Sequence, residues 1–221
     1  MQKDTELREL DARSFAAELA AILTVYEAAM EPPASQLLGR RSIMERHAGN
    51  PAFRAVAATA VPASATAPVS RGPGASTGGR VMAAATASRV PGGAAGEIIA
   101  FAYGFHGTRG QWWHDLVGSA LTATAGTESA AAWLADSFEI AEVHVRPDHQ
   151  HHGIGKRLLF GLTAGRSERT AVLSTMDADS PARRLYRGVG FTDLLTGFSF
   201  PGSYPPYAVM GAELPLRDAR A

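Results

Sequence analysis

Gln150-His151-His152-Gly153-Ile154-Gly155-Lys156-Arg157 sets two glycines, a glutamine and two cations between a strand-like run, Phe138 to Val145, and a helix-like one. Glycine at such a junction removes the Cβ that would keep a ligand away from the backbone. Amides that open a helix have no partner inside it and carry partial positive charge. The turn can therefore seat a phosphate or pyrophosphate, and Lys156 and Arg157 add charge beside it. Taken alone, the pattern is equally a tight strand-to-helix turn. Two other phosphate motifs do not fit. A P-loop needs Ser or Thr after its lysine, where Arg157 stands, and a dinucleotide fingerprint needs a third glycine, where position 158 is Leu.

Glu142 and His144 stand two apart on the preceding strand and so share a face. An amine is a nucleophile only when neutral, so a base must take its proton, and either residue can do so directly or through water. Glu142 can instead hold an ammonium as its counter-charge, and His144 can be no more than a wall residue. His149, His151 and His152 crowd one tight loop without a further ligand set, so no catalytic metal is expected.

The order Ile140-Ala-Glu-Val-His-Val-Arg-Pro147, then Gln150-x-x-Gly153-x-Gly155, then Leu158-Leu159 resembles the central motif of the GNAT superfamily of acetyl-CoA-dependent N-acetyltransferases. Asp179-Ser-Pro-Ala182-Arg-Arg-Leu-Tyr186-Arg-Gly-Val-Gly190-Phe191 is similar to that family's Asn-x-x-Ala-x-x-x-Tyr-x-x-x-Gly-Phe signature. The two blocks together cover about residues 138 to 192. The resemblance implies an α/β (α+β) fold, with a mixed, mostly antiparallel central sheet flanked by helices and splayed central strands. It implies that Gln150, His151, His152, Gly153, Ile154, Gly155 and Lys156 form the coenzyme A pyrophosphate loop. Backbone at Val143 and Val145 would hold the pantetheine arm and acetyl group, and Tyr186 would return a proton to the thiolate. Asp179 stands where the family has Asn; an ionised Asp cannot donate a hydrogen bond, which weakens that part of the coenzyme site. Ser174 stands where some relatives carry a glutamate base. The activity implied is acetyl transfer to a primary amine of a small molecule in a ternary complex. The alternatives are a protein N-terminal or lysine acetyltransferase, or a coenzyme- or ligand-binding protein of the same fold without catalysis.

Composition sets the surroundings. The 221 residues carry 21 basic and 21 acidic side chains and no cysteine. A nucleic-acid face, a polybasic membrane anchor, a disulfide framework and a cysteine nucleophile are not expected. The polar first residues are not a signal peptide, and no apolar run is long enough to cross a bilayer, so a cytoplasmic protein is expected.

The chain reads as one domain over 1–221. A first strand is expected at Glu6–Leu10 and a helix from Asp11 or Ser14 to Pro32, with Phe15, Leu19, Ile22, Leu23 and Tyr26 on one face. A second helix runs from about Ala34 to His47, and Phe53 to Ala60 and Glu97 to Phe105 read as strands. Between them, about 60–95 is rich in Ala, Gly, Pro, Ser and Thr and reads as a mobile insertion. Residues 107–137 are a helical insertion holding all three tryptophans. Trp112, Trp113 and His114 are expected to line the acceptor side, with a homodimer contact as the second role. On the strand before the glycine turn, Ile140, Val143 and Val145 are spaced three and then two, which predicts a β-bulge. A helix from 153 to about 166, a strand at 170–175, a short helix capped by Ser180-Pro181 and strands at 191–195 and 207–214 complete the chain.

Overall fold

The computed structural model describes residues 5–60, 96–202 and 205–217. The elements are β1 (Thr5–Leu10), α1 (Ala12–Ala17), α2 (Leu19–Met30), α3 (Ala34–His47), β2 (Arg54–Ala60), β3 (Ile98–His106), α4 (Trp112–Ala125), α5 (Thr127–Leu134), β4 (Ser137–Val145), α6 (Ile154–Thr163), β5 (Thr170–Met176), α7 (Pro181–Gly188), β6 (Thr192–Phe198) and β7 (Tyr207–Glu213). The strands form one seven-stranded sheet in the order β1-β2-β3-β4-β5-β7-β6. Every neighbouring pair is antiparallel except β4 with β5. This is the mixed, mostly antiparallel sheet flanked by helices that the sequence implies. The insertion expected at about 60–95 lies, beyond Ala60, outside the described residues.

Alternation along the strands decides which helix covers which face. On β3, Ala100 and Ala102 face α6, which packs Ile154, Leu158, Leu159 and Leu162 against them. Phe101, Tyr103 and Phe105 face the other way, onto Phe15, Leu19, Ile22, Tyr26 and Met44 of the first three helices. Farther along that second face, α4 and α5 pack Val117, Leu121 and Leu134 on Val172 and Val209. The apolar stripe of 107–137 is thus largely used up on its own sheet. No helix among the described residues is long and apolar enough to cross a membrane.

Two local features depart from regular geometry. The helix expected to run unbroken to Pro32 is interrupted at Glu18 (φ −102°, ψ 6°), where α1 ends and α2 begins. Arg8 of β1 donates to the Glu18 carboxylate at 2.7 Å and ties the break to the sheet edge. The second feature is the expected bulge. Tyr103 lies opposite Glu142 but Gly104 lies opposite Ile140, which leaves Ala141 as the extra residue of β4. Across from it, Gly104 has no room for a side chain: a Cβ there would lie 2.7 Å from the Phe138 ring.

Gly104→Ala is therefore expected to lower stability by about 2 kcal/mol, because strand and ring must both shift. Urea unfolding measures this; an unchanged midpoint would mean that the bulged pair is loosely packed.

Candidate active site

β4 and β5 are paired only at Ser137–Thr170, Phe138–Ala171 and Glu139–Val172. Beyond Glu139, β4 stays with β3 and β5 stays with β7, so the two strands part. A cavity of 1210 Å³ runs through the gap, with Val143 and Val145 on one wall and Leu173, Ser174 and Thr175 on the other. Parting leaves backbone groups on the facing edges of both strands without a strand partner, and such groups need another partner.

One end of the cavity is the glycine turn. Gly153 (φ +75°) is the residue before α6, and no side chain caps the first turn of that helix. His151 is also left-handed (φ +63°). The Gln150 side-chain amide donates to the Val145 carbonyl at 3.0 Å and ties the turn to the end of β4. Gly155 has a second reason to be glycine: a Cβ would come within 3.0 Å of Leu185 on α7. Uncapped amides at a left-handed turn fit a pyrophosphate group. Gln150, His151, Gly153, Ile154, Gly155 and Lys156 all line the cavity. His152 and Asp179 do not. The His152 ring turns back to the Gln150 carbonyl at 2.6 Å, and exposed Asp179 pairs with Arg184 at 2.8 Å. Ser180 lines the cavity instead, and its hydroxyl caps α7 by accepting from the Arg183 amide at 3.1 Å.

Tyr186 lies on α7, on the α6 side of the sheet, buried and packed on Phe191. Burial, together with the nearby negative charge of Glu142, pushes its phenol up, so it keeps its proton. Arg183 anchors the same helix by pairing with Asp177 and, at 3.0 Å, with Asp193.

Glu142 and His144 lie on the opposite face. Glu142 Oε1 accepts from Arg40 of α3 at 2.7 Å, and Oε2 sits 2.5 Å from His144 Nε2. The Arg40 guanidinium in turn lies 4.9 Å above the Tyr26 ring. Burial opposes ionisation of Glu142, but the His144 hydrogen bond and the charges of His144 and Arg40 outweigh it, and the carboxyl titrates below its usual range. Glu142 is thus a held anion rather than a poised base.

Glu139 is a residue that the sequence reading passed over. It sits at the apex where β4 and β5 part, lines the cavity, and is 5% exposed. Its Oε2 has no hydrogen-bond partner, and burial pushes its carboxyl up to about 8. The signal was present in the sequence, as a carboxylate between Phe138 and Ile140 on the buried half of a strand.

Of the three insertion residues, two reach the cavity. Trp113 Nε1 donates to Ser174 Oγ at 3.1 Å, and Trp112 stacks on Phe200 with ring centroids 5.4 Å apart. His114 is buried between α4 and α5 with Nε2 3.2 Å from the Leu134 carbonyl and does not line the cavity. It is a packing residue, because helical periodicity turns it away from the face that Trp113 presents.

The chain is 35% identical over 198 residues to a GCN5-like protein acetyltransferase of Mycobacterium tuberculosis, covering 88% of this chain and 90% of that protein. The chain belongs to the GNAT acetyltransferase family. The profile of the acetyltransferase (GNAT) domain matches residues 94–193, a span that contains β3 to α7 and so both parted strands and the glycine turn. The GNAT fold is also seen in solved structures. A GNAT-family protein of Desulfovibrio desulfuricans superposes with a TM-score of 0.56 at 13% identity, covering 95% of this chain and 99% of that one. The Salmonella typhimurium protein yncA, solved with its cofactor acetyl-CoA, superposes with a TM-score of 0.54 at 16% identity, over 96% of this chain and 94% of that one. The chain is accordingly an acyltransferase.

Glu139 gives this GNAT site a pH signature. A carboxyl raised in the folded state contributes stability that is present below its unfolded pKa and is lost as pH rises through the folded value of about 8. Glu139→Gln removes the penalty of a buried charge. Its melting temperature should match that of the wild-type protein at pH 5 and exceed it by about 5 °C at pH 9. Parallel melting curves at both pH values would mean that Glu139 is already solvated or paired.

Proposed function

We propose that this GNAT protein moves the acetyl group of acetyl-CoA to a primary amine by direct attack, with both substrates bound together. The observation that carries the reading is the parting of β4 from β5, which leaves carboxylates on one face of a gap and a protonated phenol on the other. Acetyl-CoA supplies the acetyl thioester. Gln150, His151, Gly153, Ile154, Gly155 and Lys156, with the backbone of Val143 and Val145, are proposed to hold it. The uncapped left-handed turn supports this, as does the acetyl-CoA in the Salmonella structure.

On the acceptor face, Glu142 is held by Arg40 and His144 and serves to orient the incoming amine as a fixed hydrogen-bond acceptor. Glu139 takes the proton. A base whose pKa lies near the working pH is ionised often enough to act and is strong enough to accept. This departs from the expectation that Glu142 or His144 is the base, because Glu142 is already engaged by two partners. On the coenzyme face, Tyr186 returns a proton to the departing sulfur, and its buried phenol keeps that proton available.

The acceptor expected from the sequence is a small-molecule amine. A second reading, a lysine or N-terminal amine of a protein, is favoured by the name of the mycobacterial relative, a protein acetyltransferase. Thiol release from acetyl-CoA, measured with small amines and with peptides side by side, tests both readings. No release with any amine, alongside tight coenzyme binding, would favour a binding protein without catalysis.

Tyr186→Phe should lower kcat about 100-fold and leave the acetyl-CoA Kd nearly unchanged, because the hydroxyl acts in the transition state. For the wild-type protein, kcat/KM should rise with pH through about 8. Glu139→Gln should lose both that rise and about 100-fold in rate. A Glu139→Gln profile that keeps the limb would reassign the base.

A further inference from the structure

The acceptor side of the cavity has a mouth with two unlike lips. Four large apolar side chains are left open to solvent among the described residues, and three of them, Met30 (50% exposed), Trp112 (61%) and Met176 (46%), line this cavity, while Leu38 does not. Trp112 stacks on Phe200, which packs edge-on against Tyr207 at 5.3 Å, so one lip is an aromatic ladder built by α4 and the segment before β7. Another stretch of the lining is α3, with Arg40, Ile43, Arg46 and His47. Arg40 there is taken by Glu142, but Arg46 is exposed at the cavity and forms no ion pair with a described residue. Clustered exposed apolar groups beside a reaction centre mark a contact surface, and a rigid tryptophan is a favoured anchor for it.

We infer that the acceptor is a lysine in an extended polypeptide, with an acidic residue on its α3 side and a large apolar residue on its Trp112 side. This rests on the acetyl-transfer reading above and deepens its acceptor. A small amine would reach Glu139 and Glu142 without touching either lip. A peptide crossing over β4 covers both, and its charge and its apolar side chain match the lip each one meets. The lysine stem then carries the amine down to the apex of the parted strands.

The test uses peptides blocked at both ends, so that one lysine carries the only amine. Asp-Ala-Lys-Ala-Phe and its reversed sequence are compared with Ser-Ala-Lys-Ala-Ser, with lysine and spermidine as free amines. The wild-type protein should prefer one of the two mixed peptides by about tenfold in kcat/KM over the serine peptide. Arg46→Glu should reverse the charge preference, favouring Arg over Asp at that flank by about threefold. Trp112→Ala should remove the preference for Phe, and neither variant should change the KM for acetyl-CoA. Equal rates on all peptides, or free amines used as well as the best peptide, would overturn the inference and leave acetyl transfer standing. Absence of thiol release with every acceptor would overturn the reaction itself.

Discussion

One extra residue in β4, the strand whose parallel pairing with β5 lasts only three residue pairs, shapes the rest of the site. Ala141 is that residue. It breaks the alternation of β4, so that Ala141 and Glu142 both turn toward α2 and α3 while Ile140 and Val143 face α6. Pairing with β5 ends two residues earlier, at Glu139. Gly104, with no space for a side chain opposite the bulge, is the matching concession on β3.

The gap also separates functions by face. Acidic groups approach from the side of α2, α3 and α4, and the phenol and the glycine turn approach from the side of α6 and α7. A parted sheet lets groups on its two faces meet in one cavity. The electrostatics follow the same division. Glu142 is a satisfied buried anion, held by Arg40 and His144. Glu139, two residues before the bulge, has an unpartnered oxygen and a raised carboxyl. Two carboxylates on one strand thus have different protonation because one has partners and the other does not.

The α4–α5 pair adds to the cavity lining while packing on its own sheet. Its apolar stripe is spent on β5 and β7. What it presents to the cavity is the first turn of α4, Trp112 and Trp113, with Trp113 tied to Ser174 on β5.

Sequence alone determined the order of elements, the irregular spacing that makes the bulge, the glycine turn and the tyrosine of the second block, because all of these are local patterns along the chain. The expected α3 boundaries, Ala34 to His47, match the structure, and so does the Ser180 cap. Asp179, His152 and His114 carry suitable chemistry in local pattern but do not line the cavity. Tertiary structure alone decided which carboxylate is held and which is free. Glu142 is fixed by Arg40, 102 residues away, and Glu139 has no such partner. Burial and pairing are properties of neighbours brought together by folding, so the protonation of a strand glutamate cannot be read from the residues beside it.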